Sequence, residues 1–156
     1  MAIAVNELAP DFELPSSELV DGRPGKKVKL SALRGKPVVL AFYPLDFSPT
    51  CTNENICFRN DLDQFAKVGA QVLGVSVDSV WCHRAFADSL ALTYPLLADF
   101  QPRGAMAKTY GLFLEDKGIT KRATVLIDKH GKVAWVKEHD GARSDEELLA
   151  QLRQLG

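Results

Sequence analysis

The chain has 156 residues, which suits one compact domain spanning 1–156 with one sizeable core. Its 46% hydrophobic and 25% charged residues are ordinary for a soluble globular protein, and its net charge of -1 gives no electrostatic case for nucleic acid or an anionic membrane. No apolar run approaches the roughly 20 residues of a membrane helix. The opening MAIAVNELAPDFELP has no basic stretch ahead of an apolar run, so no export signal is expected. Three cysteines do not make a disulfide scaffold. A reducing, cytoplasmic location is therefore expected, with thiols kept for chemistry, metal binding or burial.

Glu7 to Ser16 is punctuated by proline and reads as an extended segment holding a short strand. Asp21-Gly22 and Pro24-Gly25 mark turns. Lys27 to Leu30 alternates like an exposed hairpin strand, and Ser31 to Gly35 reads as one helical turn capped by its serine. Val38 to Tyr43 is a continuous apolar run, the pattern of a strand buried on both faces. Thr50 to Lys67 follows as a helix, with Ile56, Phe58, Leu62 and Phe65 at helical spacing and Gly69 past its end. Gln71 to Val77 is a second buried strand, and Asp78 or Ser79 caps a helix reaching about Leu90. Pro95 to Ala98 is a short strand or loop, and Arg103 to Tyr110 a short helix. Arg122 to Asp128 and Lys132 to Lys137 form a hairpin around Lys129-His130-Gly131. Ser144 with Glu147 makes a capping box for a last helix. The order predicts an α/β fold: a central mixed sheet flanked by helices.

The stretch that organises the rest is Phe42 to Asn60, with Cys51 at its centre. A thiol in the first turn of a helix meets backbone N–H groups that lack intrahelical acceptors, at the positive end of the helix dipole. Such a position favours the thiolate, which is the nucleophilic form. Pro44, Ser48 and Cys51 stand as P-x-x-x-S-x-x-C between a buried strand and that helix. Ser48 offers a hydroxyl to a group bound at the sulfur, Pro44 removes a competing donor and shields it, and helix N–H groups stabilise an anion. Glu54, three residues on and on the same face, can hold a cation beside the site. The plain alternative for Cys51 is a buried, inert thiol.

With these residues in view the chain resembles a peroxiredoxin. The family signature falls on Pro44, Ser48 and Cys51, with Thr52 and Glu54 continuing it. Arg122 in RATVLID matches the family's later arginine, and SVDS at Ser76 to Ser79 and PLLADF at Pro95 to Phe100 also match. PLLADF with GAMAKTYGLF resembles most the small bacterial one-cysteine branch, and CTNENICFRN leans towards the bacterioferritin-comigratory branch. The resemblance implies a thioredoxin-like fold and a thiol peroxidase of hydrogen peroxide and organic hydroperoxides. It implies Cys51 as attacking sulfur, oxidised to a sulfenic acid, with Arg122 and Ser48 holding the peroxide oxygens. It implies no metal and no bound cofactor, a thioredoxin-type protein or low-molecular-weight thiol as reductant, and a monomer or homodimer. A surface ion pair is the plain alternative for Arg122.

Two cysteines bear on recycling. Cys57 lies six residues after Cys51, about 600° of helical rotation, so the two thiols face apart unless the helix unwinds; burial is expected for Cys57, with a resolving role as the lesser alternative. Cys82, in VWCHRAF, belongs to a helix starting at the same sheet edge and is the candidate resolving thiol. Trp81 and Phe86 are expected to pack inward, and His83 to lie near the surface where it could assist deprotonation. The alternatives are a one-cysteine mechanism using an external thiol, a redox sensor or relay, and a non-catalytic binding module. Cys51, Cys57, Cys82 and His83 are poorly spaced for zinc. His130 and His139 read as solvated, and Trp135, Phe113 and Phe42 as core or interface.

Overall fold

The computed structural model describes residues 3–141 and 145–155. Among the described residues, eleven short strands and four α-helices run in chain order. They are β1 Glu13–Pro15, β2 Leu19–Val20, β3 Arg23–Pro24, β4 Lys27–Lys29, β5 Val38–Phe42, α1 Pro49–Lys67, β6 Gln71–Ser76, α2 Val80–Leu90 and β7 Leu96–Ala98. Then come α3 Ala105–Thr109, β8 Phe113–Leu114, β9 Ile119–Thr120, β10 Ala123–Ile127, β11 Val133–Glu138 and α4 Asp145–Gln154.

The central sheet has the order β11-β10-β5-β6-β7. β5, β6 and β7 are parallel; β10 runs antiparallel to β5 and β11 antiparallel to β10. β5 and β10 are buried at every residue, which is why both read as unbroken apolar runs. Alternate residues divide between two cores. Val39, Ala41, Tyr43, Val72, Leu96 and Leu126 face α1, α2 and α4. Val38, Leu40, Phe42, Leu73, Val75 and Val125 face α3 and the amino-terminal segments.

Helix α1 buries Cys51, Glu54, Asn55, Phe58 and Phe65, a stripe at helical spacing. Phe58 is packed among Phe65 and Tyr94, and its burial contributes about 2–3 kcal/mol. Gly69, at φ 75°, closes this helix in a conformation that a side chain would strain. Because β5, β6 and β7 point the same way, α1 and α2 both begin beyond the same edge of the sheet. That edge gathers Cys51, Asp78, Cys82 and His83.

Several local expectations are corrected. Ser31 does not cap its turn: the 3-10 helix is Leu30–Leu33, with Lys29 at the capping position and no side-chain cap. The Ser31 N–H donates instead to Asp11 Oδ1. β4 pairs with β1 rather than with a near neighbour, while Asp21-Gly22 turns the tiny β2–β3 hairpin. α3 starts at Ala105, not Arg103. Gly104 precedes it at φ 70°, and a Cβ there would lie 2.2 Å from the Phe113 ring. Between Asp78 and Ser79, it is Ser79 that caps α2, accepting from the Cys82 N–H. Ser144, the expected cap of α4, lies outside the described residues.

Candidate active site

Strand β5 ends at Phe42, and the loop Tyr43 to Ser48 carries the chain to α1. Ser48 stands at the helix N-cap in extended conformation, and Pro49 opens the helix with its ring-fixed φ. The Thr52 N–H donates to the Ser48 carbonyl at 2.9 Å, the first bond of the helical ladder. The N–H groups of Thr50 and Cys51 precede that bond and have no intrahelical acceptor. Cys51 is the third helical residue, with 0% of its surface exposed. Its carbonyl accepts from Asn55 Nδ2 at 2.8 Å, and Asn55 Oδ1 accepts from the Tyr94 hydroxyl. The turn bearing the thiol is thus tied to the β7 side of the sheet.

Glu54, one turn after Cys51, is 3% exposed, and its Oε1 accepts from Arg122 Nη1. Arg122 directly precedes β10, which lies beside β5. The sheet therefore delivers a guanidinium to the same helix face as Cys51, held by a nearly buried carboxylate. The neighbouring Lys121 pairs separately with Glu138 at 3.2 Å. Pro44 is half-buried at the end of β5. The Ser48 hydroxyl makes no cap bond and donates back to the Leu45 carbonyl at 3.1 Å, keeping its lone pairs for another donor.

Cys82 is half-buried in the first turn of α2. Its Sγ lies 3.9 Å from Asp78 Oδ1. Burial, then the charges of Asp46 and Asp78, push this thiol up to about 12. His83 is fully buried, against the surface expectation. Its Nε2 lies 2.9 Å from the Leu97 carbonyl, and its Nδ1 2.7 Å from Asp46 Oδ2. A carbonyl only accepts, so Nε2 carries a hydrogen and a further proton lies between Nδ1 and the carboxylate. Trp81 is 64% exposed instead of packing inward, while Phe86 is fully buried as expected.

The other thiol is also corrected. Cys57 is exposed, not buried: the buried stripe runs through Cys51, Glu54, Asn55 and Phe58, and Cys57 falls off it. His139 is not simply solvated, since its Nε2 is 3.0 Å from the buried Thr124 Oγ1 and its N–H donates to the Arg122 carbonyl. His130 is exposed in its turn.

The AhpC/TSA family matches residues 5–136. The chain belongs to this family, the peroxiredoxins. It is 40% identical over 154 residues to "Peroxiredoxin-2" of Macaca fascicularis, covering 92% of this chain and 75% of that one. It is 37% identical over 158 residues to "Thioredoxin peroxidase" of Echinococcus granulosus, covering 95% and 79%. Among solved structures, that of peroxidoxin BcpB from Mycobacterium tuberculosis superposes with a TM-score of 0.85 at 34% identity, covering 97% of each chain. This peroxiredoxin is accordingly a thiol peroxidase on the expected thioredoxin-like fold.

The Asp46–His83 pair is what sequence reasoning missed in this peroxiredoxin. Its signal was slight: an aspartate in the loop before Cys51 and a histidine one turn into the next helix, at one sheet edge. Among the described residues, Asp46, Asp78 and His83 bring metal-capable atoms within 4.8 Å of one another. Hydrogen bonding accounts for that cluster. Asp46 Oδ1 accepts from the Tyr43 hydroxyl at 2.6 Å, and Asp78 Oδ2 accepts from Ser76 and from the Asp46 N–H. Burial and Asp46 hold the Tyr43 phenol well above its usual range, so it remains a donor.

Proposed function

We propose that Cys51 is the peroxidatic cysteine, reducing hydrogen peroxide and organic hydroperoxides. Its thiolate attacks the terminal oxygen of the hydroperoxide, the O–O bond breaks, and an alkoxide or hydroxide leaves and takes a proton as alcohol or water. Cys51 becomes a sulfenic acid. The observation that carries the reading is the Arg122–Glu54 ion pair one helical turn from the buried Cys51. It supports a role for Arg122 as donor to the peroxide oxygens, with the Thr50 and Cys51 N–H groups beside it. Ser48 contributes its hydroxyl, and Pro44 shields the sulfur.

Cys82 is the proposed resolving thiol. Its sulfur bonds to Cys51 Sγ, the sulfenic hydroxyl leaves, and the Cys82 proton completes a water. A thioredoxin-type dithiol then reduces the disulfide by two exchange steps and is itself oxidised. The name of the Echinococcus granulosus relative supports that reductant. A cytoplasmic, reducing location suits three unpaired cysteines. A one-cysteine mechanism with an external thiol is the second reading. It is favoured by the carboxylates that keep Cys82 protonated.

Replacement Cys51→Ser abolishes peroxide consumption on this reading; full activity in that variant sinks it. Mass spectrometry after one equivalent of peroxide separates the two recycling routes. A Cys51–Cys82 disulfide supports the first, and a persistent Cys51 sulfenic acid with reduced Cys82 supports the second.

A further inference from the structure

The loop that leads into Cys51 and the turn that carries Cys82 are bolted together by buried polar groups. The Asp46 N–H donates to Asp78 Oδ2 at 2.8 Å. Asp46 Oδ2 faces His83 Nδ1 at 2.7 Å, and both side chains are 0% exposed. From α2, His83 also reaches β7, where its Nε2 donates to the Leu97 carbonyl. Cys82 and His83 are successive residues of the first turn of α2, and the Cys82 N–H is held by Ser79 Oγ at 3.2 Å. Swinging Cys82 out of that turn therefore drags His83 away from Asp46. Asp46 in turn lies five residues before Cys51, on a short loop braced by Pro44 and Pro49.

We propose that the Asp46–His83 pair is a latch that keeps both thiols in their closed positions and sets how often Cys82 becomes reactive. Cys51 has no exposed surface and Cys82 is half-buried, so opening of this kind is what would bring both sulfurs within reach of a reactant. While the latch is closed, Cys82 stays among Asp46 and Asp78, whose charges disfavour its thiolate. Opening removes it from both carboxylates at once. Asp46 and His83 are positioning residues in this scheme. The latch rests on the contacts alone, while its consequence for recycling rests on the reading of Cys82 given above.

The test uses the full chain carrying Cys51→Ser and Cys57→Ser, so that Cys82 is the single thiol, and measures its labelling by a maleimide under native conditions. His83→Gln places an amide near the Nε2 position, keeping the Leu97 bond and cutting the Asp46 link. His83→Asn places one near Nδ1, keeping the Asp46 link and losing Leu97. Breaking a buried charge-assisted bond gives His83→Gln labelling faster by about 10-fold or more, with His83→Asn within about 3-fold of the parent. Equal labelling of parent and His83→Gln overturns the latch, as does equal acceleration in both variants, which is the result of a merely structural histidine. Should a His83 variant fail to fold, Asp46→Asn against Asp46→Ala repeats the contrast, because asparagine still donates to Nδ1 and accepts from Tyr43. Hydrogen exchange on the unmodified protein gives an independent check: the latch requires residues 46–48 and 79–83 to open as one unit, and unrelated exchange rates overturn it. With Cys51 restored, one equivalent of hydrogen peroxide should give the Cys51–Cys82 disulfide faster in His83→Gln by the factor seen in labelling. Faster labelling with no disulfide in any variant sinks the resolver and leaves the latch standing.

Discussion

Cys51 and Cys82 occupy the same place in the architecture. Each is the third residue of a helix that follows a parallel strand, and each comes three residues after a serine at the N-cap. Their surroundings are opposite. The turn after Cys51 bears Glu54, which is neutralised by Arg122. Cys82 faces the carboxylates of Asp78 and Asp46, and its thiol is pushed up to about 12. The serines differ as well: Ser79 caps the Cys82 N–H, whereas Ser48 turns its hydroxyl to the Leu45 carbonyl. A helix terminus contributes only about 0.3–1 kcal/mol to a neighbouring charge, so at Cys82 burial and the two nearby carboxylates outweigh it and hold the thiol protonated.

The contrast can be broken at either thiol. After the complete loss expected of Cys51→Ser, the largest effect belongs to Arg122. Arg122→Met should lower kcat/KM for hydroperoxide by about 10²–10³-fold, and Arg122→Lys should recover only part of it, because lysine lacks the planar fork. Steady-state peroxide consumption checks both, and a wild-type rate in Arg122→Met removes Arg122 from the chemistry.

The second effect is on pH dependence. The folded-state pKa of Cys82 lies above its ordinary 9.0, at about 12. Above pH 9 the open state releases a proton that the closed state retains. The closed first turn of α2 therefore keeps its full stability below pH 9 and loses it progressively between about 9 and 12. Asp78→Asn should bring the Cys82 pKa down by about one unit, read from the ultraviolet thiolate absorbance of the single-cysteine protein. An unmoved titration would show that Asp78 is not what distinguishes the two sites.

The smallest effect is on the caps. Ser79→Ala should cost about 1 kcal/mol of stability to urea, while Ser48→Ala should change it by less than about 0.5 kcal/mol. Equal losses would mean that the two helix starts are built alike after all.

Much of this site was legible because its logic is local. A strand buried on both faces, a proline-braced loop and a helix follow one another within Val38 to Lys67, and Glu54 lies one turn from Cys51. Where reading along the chain failed, the cause was a partner distant in sequence. Asp46 and His83 are 37 residues apart, and the sequence alone offers no reason to bury that histidine. Cys57 failed differently. The rotation that turns it away from Cys51 was evident, but only the knowledge that Cys51 faces the core makes that rotation point to solvent. His139 is bonded across to Thr124 on the neighbouring strand, a pairing set by sheet register rather than by its own turn.

The exposure of Trp81 has a practical consequence. The chain holds two tryptophans, and this one, 64% exposed, is covalently adjacent to Cys82. Indole emission responds to solvent and to nearby sulfur, so any movement of that turn passes through an intrinsic fluorophore. With Trp135 replaced by phenylalanine, the remaining emission would report any opening of that turn in real time, without a dye attached to any thiol.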